Sequence, residues 1–207
     1  MSLNVIFGTP VYKTKMPNHE EILKGFTPFI ESEDNFDQAT FWDCDCRTTI
    51  QNDEKNSLFP WHLFFKTVYN LVDEYAYSIG LSQEACEKMY GQAWANRYTK
   101  GQYQEVHSHS GGNLVISCAY MLKLPPNSAS FSFYDSSYSH FPVHLAQCFT
   151  NKPFMGRRVT PPLEEGDIIF FPASLDHYVS THKADELRST ISANFGIAID
   201  EITNQQS

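Results

Sequence analysis

The 207 residues include 24 Asp and Glu against 15 Lys and Arg, a formal charge of −9. That balance argues against broad binding along a nucleic-acid backbone, which needs clustered cations; only Arg157 and Arg158 are adjacent. With 42% hydrophobic and 14% aromatic residues the chain can build one sizeable core, but it has no apolar run near the ~20 residues of a membrane span.

The opening MSLNVIFGTPVYKTKM lacks the charged start, apolar stretch and small-residue cleavage site of a secretory signal. Five cysteines form an odd set with no regular spacing, which fits a reducing compartment, the cytoplasm by default. Cys44-x-Cys46 has no second cysteine pair to complete a structural zinc site.

In chain order, an extended start over Asn4 to Lys13 precedes a helix from about Asn18 to Ile30, with acidic residues near its beginning. A polar, aspartate-rich loop follows, from Glu31 to Ser57. The next segment, PWHLFFKTVYNLVDEYAYSIGL, spaces Leu63, Val68, Leu71, Val72, Tyr75 and Ile79 as a helix does, starting after Pro60 and ending at Gly80. A short helix within SQEACEKMY is expected, with Ser82 as its N-cap.

From Gly91 the texture changes to short β-prone runs: AWANRYTK, LVISCAYML, ASFSFYD, DIIFFPA and STISANFGIAI. Helices followed by many short strands predict an α+β, mainly β, single domain over 1–207. Its residues 1–90 would be mostly helical and 91–200 a jelly roll, or double-stranded β-helix, with the helices on the outside of one sheet. An exposed strand edge near the N-terminus could pair two chains into a homodimer.

The chemistry concentrates in three places. QEVHSHSGG carries His107 and His109, which share a face if that stretch is a strand. EEGDIIFFPASLDHYV delivers His177 from a loop after a buried strand, and Arg188 then opens the last strand, with Thr190 two residues on. Three protein ligands on one face of a metal, with the other positions open, are the arrangement of non-haem Fe(II) oxygenases. An arginine nearby suits bidentate pairing with a carboxylate, and a hydroxyl adds a donor.

These stretches resemble the 2-oxoglutarate and Fe(II)-dependent oxygenases, in their prolyl-hydroxylase-like branch with small His-x-His relatives. RYTKGQYQEVHSH is similar to that branch's tyrosine, glycine, then His-x-Asp segment. EEGDIIFFPASLDHYV resembles its strand leading to the distal histidine, and RSTISANF its Arg-x-Ser strand. The resemblance covers Tyr98 to Phe195 and none of the first 90 residues.

It implies His107, His109 and His177 as iron ligands and Arg188 as the anchor for the distal carboxylate of 2-oxoglutarate. Tyr98 and Thr190 would be its hydrogen-bonding companions. It further implies Fe(II), 2-oxoglutarate and O2 as reactants, and hydroxylation of an amino acid, a peptidyl residue or a small metabolite. His109 is the departure, standing where the family has aspartate; water or a carboxylate such as Asp135 is the other candidate for that position.

Two other classes compete: a three-histidine cupin-type dioxygenase without 2-oxoglutarate, and a non-catalytic β-barrel binding module. Neither nucleic acid nor membrane is an expected partner. Among the remaining polar residues, Asn96 and Asn194 are either cavity donors or partners of neighbouring backbone. Trp94 and the Phe131, Phe133, Tyr134 group read more as core than as a substrate platform. His19, His62 and His182 read as structural or solvated, Cys118 as a small buried apolar residue, and His140 and His144 as loop residues. The long Ser136–Pro162 loop is expected to form a lid or the substrate side of the mouth.

Overall fold

The computed structural model describes residues 8–40, 45–135, 148 and 157–198. The 136–147 and 149–156 stretches of the expected lid, with His140 and His144, lie outside them, as does Cys44.

Of the expected extended start, residues 4–7 lie outside the described residues; strand β1 (Tyr12–Lys15) follows Pro10, which has no N–H for a ladder. Helix α1 (His19–Ile30) buries Ile22, Phe26 and Ile30 at helical spacing, with Glu20 and Glu21 favourably placed in its first turn. The supposed loop that follows contains a 3-10 turn (Glu33–Asn35), the two-residue strands β2 (Asp37–Gln38) and β3 (Arg47–Thr48), and helix α2 (Asp53–Ser57). Strands this short have no periodicity to read.

Helix α3 (Trp61–Ser78) buries Phe64, Val68, Leu71, Val72, Tyr75 and Ala76. It ends where Gly80 takes φ +90 and Leu81 N–H bonds back to Ala76 O at 2.9 Å. Only glycine enters that left-handed region without strain. Ser82 caps helix α4 (Gln83–Glu87), its hydroxyl accepting from Ala85 N–H.

Eight strands then build the two sheets: β4 (Met89–Tyr98), β5 (Gln104–His107), β6 (Leu114–Lys123), β7 (Phe131–Tyr134), β8 (Arg158–Val159), β9 (Asp167–Pro172), β10 (His177–Val179) and β11 (Arg188–Ile197). The larger sheet has the order β1-β9-β6-β11-β4-β3-β2 and the smaller β5-β10-β7-β8, every pair antiparallel. Chain order hops between the sheets, and the result is a jelly roll, mainly β with few helices.

Strand alternation sorts the core into two layers. Ile116, Cys118, Tyr120, Leu122, Ile168, Phe170, Ile191, Ala193 and Phe195 of the large sheet cluster with Ile22, Phe26, Phe64, Val68 and Tyr75 of α1 and α3. Their neighbours of opposite parity, Ala119, Met121, Ile169 and Phe171, pack between the sheets with Tyr98, Phe131, Phe133 and Val179. The helices thus cover one face of the large sheet and leave its other face to the interior of the roll. No described helix is long and apolar enough to cross a membrane.

Candidate active site

Strand pairing brings the three histidines together. In the small sheet His177 of β10 lies opposite His107 of β5 on one side and Phe133 of β7 on the other. His109 sits just past the end of β5, so strand alternation does not place it; a backbone bond from His109 N–H to Ala173 O, 2.8 Å, draws the loop inward. One ligand atom from each of His107, His109 and His177 falls within 4.8 Å of the others. No carboxylate joins them among the described residues, and Asp135 is not part of the group.

Each imidazole is oriented through Nδ1. His107 Nδ1–H donates to Glu105 O and His177 Nδ1–H to Leu175 O, both at 2.8 Å. His109 Nδ1–H donates to Asn194 Oδ1 at 2.5 Å, and Ser117 Oγ–H donates to the same oxygen at 2.7 Å. A backbone carbonyl cannot donate, so Nδ1 of His107 and His177 must carry the proton, and Nε2 holds the lone pair. The amide oxygen of Asn194 fixes His109 in the same tautomer. This is the outer-shell pattern that aims histidine ligands at a metal.

Burial keeps all three neutral. It pushes His107 below its ordinary value; it takes His109 down to about 4, helped by His107; and it takes His177 well below 6.5, with His107 and His109 adding to the effect. The donor set fits a divalent first-row cation bound by imidazole nitrogen.

The sign of the linkage gives a prediction for the metal-free protein. Below pH 6.5 the unfolded chain takes up protons that the folded imidazoles refuse, so stability falls as pH drops from 6.5 towards about 4. Urea midpoints measured across that window should decrease, and His177→Gln should flatten the slope; a midpoint independent of pH would contradict neutral burial.

The opposite end of the same cavity is cationic. Arg188, fully buried at the start of β11, pairs across the ladder with Tyr98 of β4. Its guanidinium carbon stands 4.6 Å from the centroid of the Tyr98 ring, and its Nη2 meets Met121 Sδ at 3.8 Å. Nε and Nη1 are buried with no hydrogen-bond partner among the described residues. Burial also lowers its pKa, an effect the Tyr98 contact partly offsets. A charged fork left unsatisfied inside a core is costly unless an anion completes it.

Between the two ends, Trp94, Tyr98, Gln104, Phe131, Phe171, Thr190 and Ser192 line the wall. Trp94 lies 5.5 Å from His109 and Phe131 5.5 Å from His177 between ring centroids, so both face the cavity rather than serving only as core. Asn96 is the exception among the expected cofactor-binding residues. It is not in the lining, and its amide donates to Ser192 Oγ at 3.1 Å, one layer behind the wall. Asn194 is engaged with His109. His182 is buried, accepting from Ala129 N–H and bonding Glu186 O, as a structural histidine does.

Gln104 escaped the sequence reading. The pairing of β5 with β10 shifts register between His177 and Val179. That irregularity lets Gln104 and His107, three apart, face the same cavity, which regular alternation forbids. Ser192 could have been found from its even spacing with Arg188 and Thr190.

A protein family described as "Putative 2OG-Fe(II) oxygenase" matches residues 92–194, about half of the chain. No protein of curated function matches the sequence. Among solved structures, a Pseudomonas putida prolyl-4-hydroxylase aligns at a TM-score of 0.57 and 10% identity, over 92% of this chain and 94% of that one. HygX from Streptomyces hygroscopicus, solved with nickel and 2-oxoglutarate bound, aligns at 0.56 and 12% identity, over 92% of this chain and 84% of that one. The chain spans 48% of the length of a Burkholderia pseudomallei oxidoreductase of the 2OG-Fe(II) oxygenase family, which aligns over 59% of this chain at 13% identity and a TM-score of 0.44. At these identities the structural likeness is one of fold. The family match runs from β4 almost to the end of β11 and contains all three histidines and Arg188, and the chain belongs to the 2OG-Fe(II) oxygenase family.

Proposed function

We propose that this protein is a 2-oxoglutarate- and Fe(II)-dependent dioxygenase that hydroxylates a C–H bond of an amino acid, a peptidyl residue or a small metabolite. One observation carries the reading: a fully buried arginine, two of whose nitrogens have no partner among the described residues, shares a narrow cavity with three neutral imidazoles. A small dianion with a chelating end and a free carboxylate suits both halves.

In this reading His107, His109 and His177 hold Fe(II) through Nε2. With 2-oxoglutarate and O2, iron held there would supply the oxidation, one oxygen atom going to the substrate C–H bond and the other to the succinate left after loss of CO2. Arg188 pairs with the distal carboxylate, its fork already aimed by Tyr98 and Met121, so little entropy remains to be lost on binding. Thr190 Oγ1 lies two residues along the same strand face and adds a donor. Phe131, Phe171, Trp94 and Val179 keep the chamber poor in water. Three neutral ligands leave the cation's full charge for the dianionic co-substrate to offset, which favours its binding. The free cysteines Cys46, Cys86, Cys118 and Cys148 support a cytoplasmic location.

The absence of a carboxylate from the described ligand cluster favours, as a second reading, a three-histidine dioxygenase that uses no co-substrate. The two separate in one assay. Protein supplied with Fe(II), ascorbate, air and 2-oxoglutarate should release succinate slowly alone and faster with its substrate. Oxygen consumption indifferent to 2-oxoglutarate would favour the second reading.

A further inference from the structure

Gln104 stands between the two halves of the cavity. It is 8% exposed and reaches in from β5 in the small sheet, while Tyr98 reaches in from β4 in the large one. Tyr98 Oη–H donates to Gln104 Oε1 at 3.1 Å. A phenol has one proton to give, and here it is spent on the amide oxygen. That bond fixes which way the amide faces: its NH2 lies towards the metal-side nitrogen of His107, with Gln104 Nε2 3.5 Å from His107 Nε2. Once that nitrogen gives its lone pair to a cation it stops accepting, and the amide N–H groups are left pointing at whatever lies beside His107.

We propose that Gln104 is the side chain that binds the metal-facing carboxylate end of 2-oxoglutarate, and that Tyr98 is a positioning residue acting through it. The inference rests on the function proposed above. It reassigns Tyr98, expected from the sequence to contact the co-substrate with its hydroxyl. The ring of Tyr98 supports the Arg188 guanidinium and its hydroxyl orients the Gln104 amide, so one residue aligns the donors for both carboxylates of the same molecule. A hydrogen bond between a buried amide and a carboxylate is charge-assisted, and its loss should weaken binding by about 10-fold or more.

The test is calorimetric titration of the anaerobic, Fe(II)-loaded protein with 2-oxoglutarate, so that affinity is read without turnover. Gln104→Met, close in shape, should weaken 2-oxoglutarate about 10-fold and leave Fe(II) stoichiometry intact. Gln104→Glu keeps an acceptor for Tyr98 but sets carboxylate against carboxylate, and should weaken it further. Tyr98→Phe should weaken binding less than Gln104→Met. The double variant should be no weaker than Gln104→Met alone, because residues that act in series do not add.

Wild-type affinity in both Gln104 variants would overturn the proposal while leaving the enzyme reading standing. Fully additive losses would overturn it by making Tyr98 an independent donor. Failure of the wild-type protein to bind 2-oxoglutarate would remove the function and this inference together.

Discussion

Arg188→Met should abolish 2-oxoglutarate-dependent succinate formation and, at the same time, stabilise the protein in the absence of ligands. Both effects come from the same buried charge. In the proposed function the guanidinium would make a desolvated pair with a carboxylate, and truncating one partner of such a pair costs about 2–5 kcal/mol, a loss of about 30-fold to several-thousand-fold in affinity. Without ligand, Nε and Nη1 are buried beside Met121 and Tyr98 with no hydrogen-bond partner among the described residues. A methionine of similar length fills that space without a charge to desolvate, and replacing buried charges by well-packed apolar groups commonly stabilises by about 1–4 kcal/mol. The measurements are the 2-oxoglutarate affinity and the urea midpoint of metal-free protein. A variant that lost both affinity and stability would show Arg188 to be a structural residue. Arg188→Lys should retain partial function, since an ammonium supplies charge but not the fork.

His177→Ala should remove Fe(II) binding, the other large effect. His177 is central in the small sheet, flanked by His107 and Phe133 across the ladder, with its tautomer set by Leu175 O. Its loss leaves two imidazoles and opens a void against Phe131 and Phe171, whose rings lie 5.5 and 4.8 Å from it. Fe(II) affinity should fall by well over the ~10–100-fold typical of losing an outer-shell partner of a metal ligand. Equilibrium dialysis of the anaerobic protein with Fe(II) checks this, and retention of one equivalent at wild-type affinity would rule out His177 as a ligand. His109→Ala tests the unusual third position in the same way, and there Asn194 and Ser117 would lose the group they orient.

Most of this site could be read in the sequence because it depends on features with short signatures. His177 follows a strand stopped near Pro172, and Arg188 and Thr190 alternate along the last strand, so period-two reasoning placed them correctly on the inner face. The long helices α1 and α3 were equally legible from apolar spacing. What escaped depended on register. His109 joins His107 and His177 as the sequence implies, but a loop bond to Ala173, not strand alternation, turns it inward. Gln104 faces the cavity only because the β5–β10 ladder is irregular, and no pattern in QEVH reveals that. Strands β2, β3 and β8, two residues each, are set by their pairing partners and not by propensity. Trp94 and Phe131 could not be told from core residues because an aromatic facing a narrow internal cavity is buried either way. Asn96, open in the sequence between cavity donor and backbone partner, lies on the lining strand, but its amide donates to the Ser192 side chain.

In the proposed function the three histidines and Arg188 act on one ligand. The most direct test is an anaerobic titration of metal-free protein with Fe(II) and then 2-oxoglutarate, watched for the visible metal-to-ligand charge-transfer band of a chelated keto acid, with Arg188→Met alongside. The band should appear at one equivalent of each in the wild-type protein and be absent from the variant at the same concentrations. Iron binding without a band in either protein would contradict the account and leave the histidines as a metal centre that takes no 2-oxoglutarate.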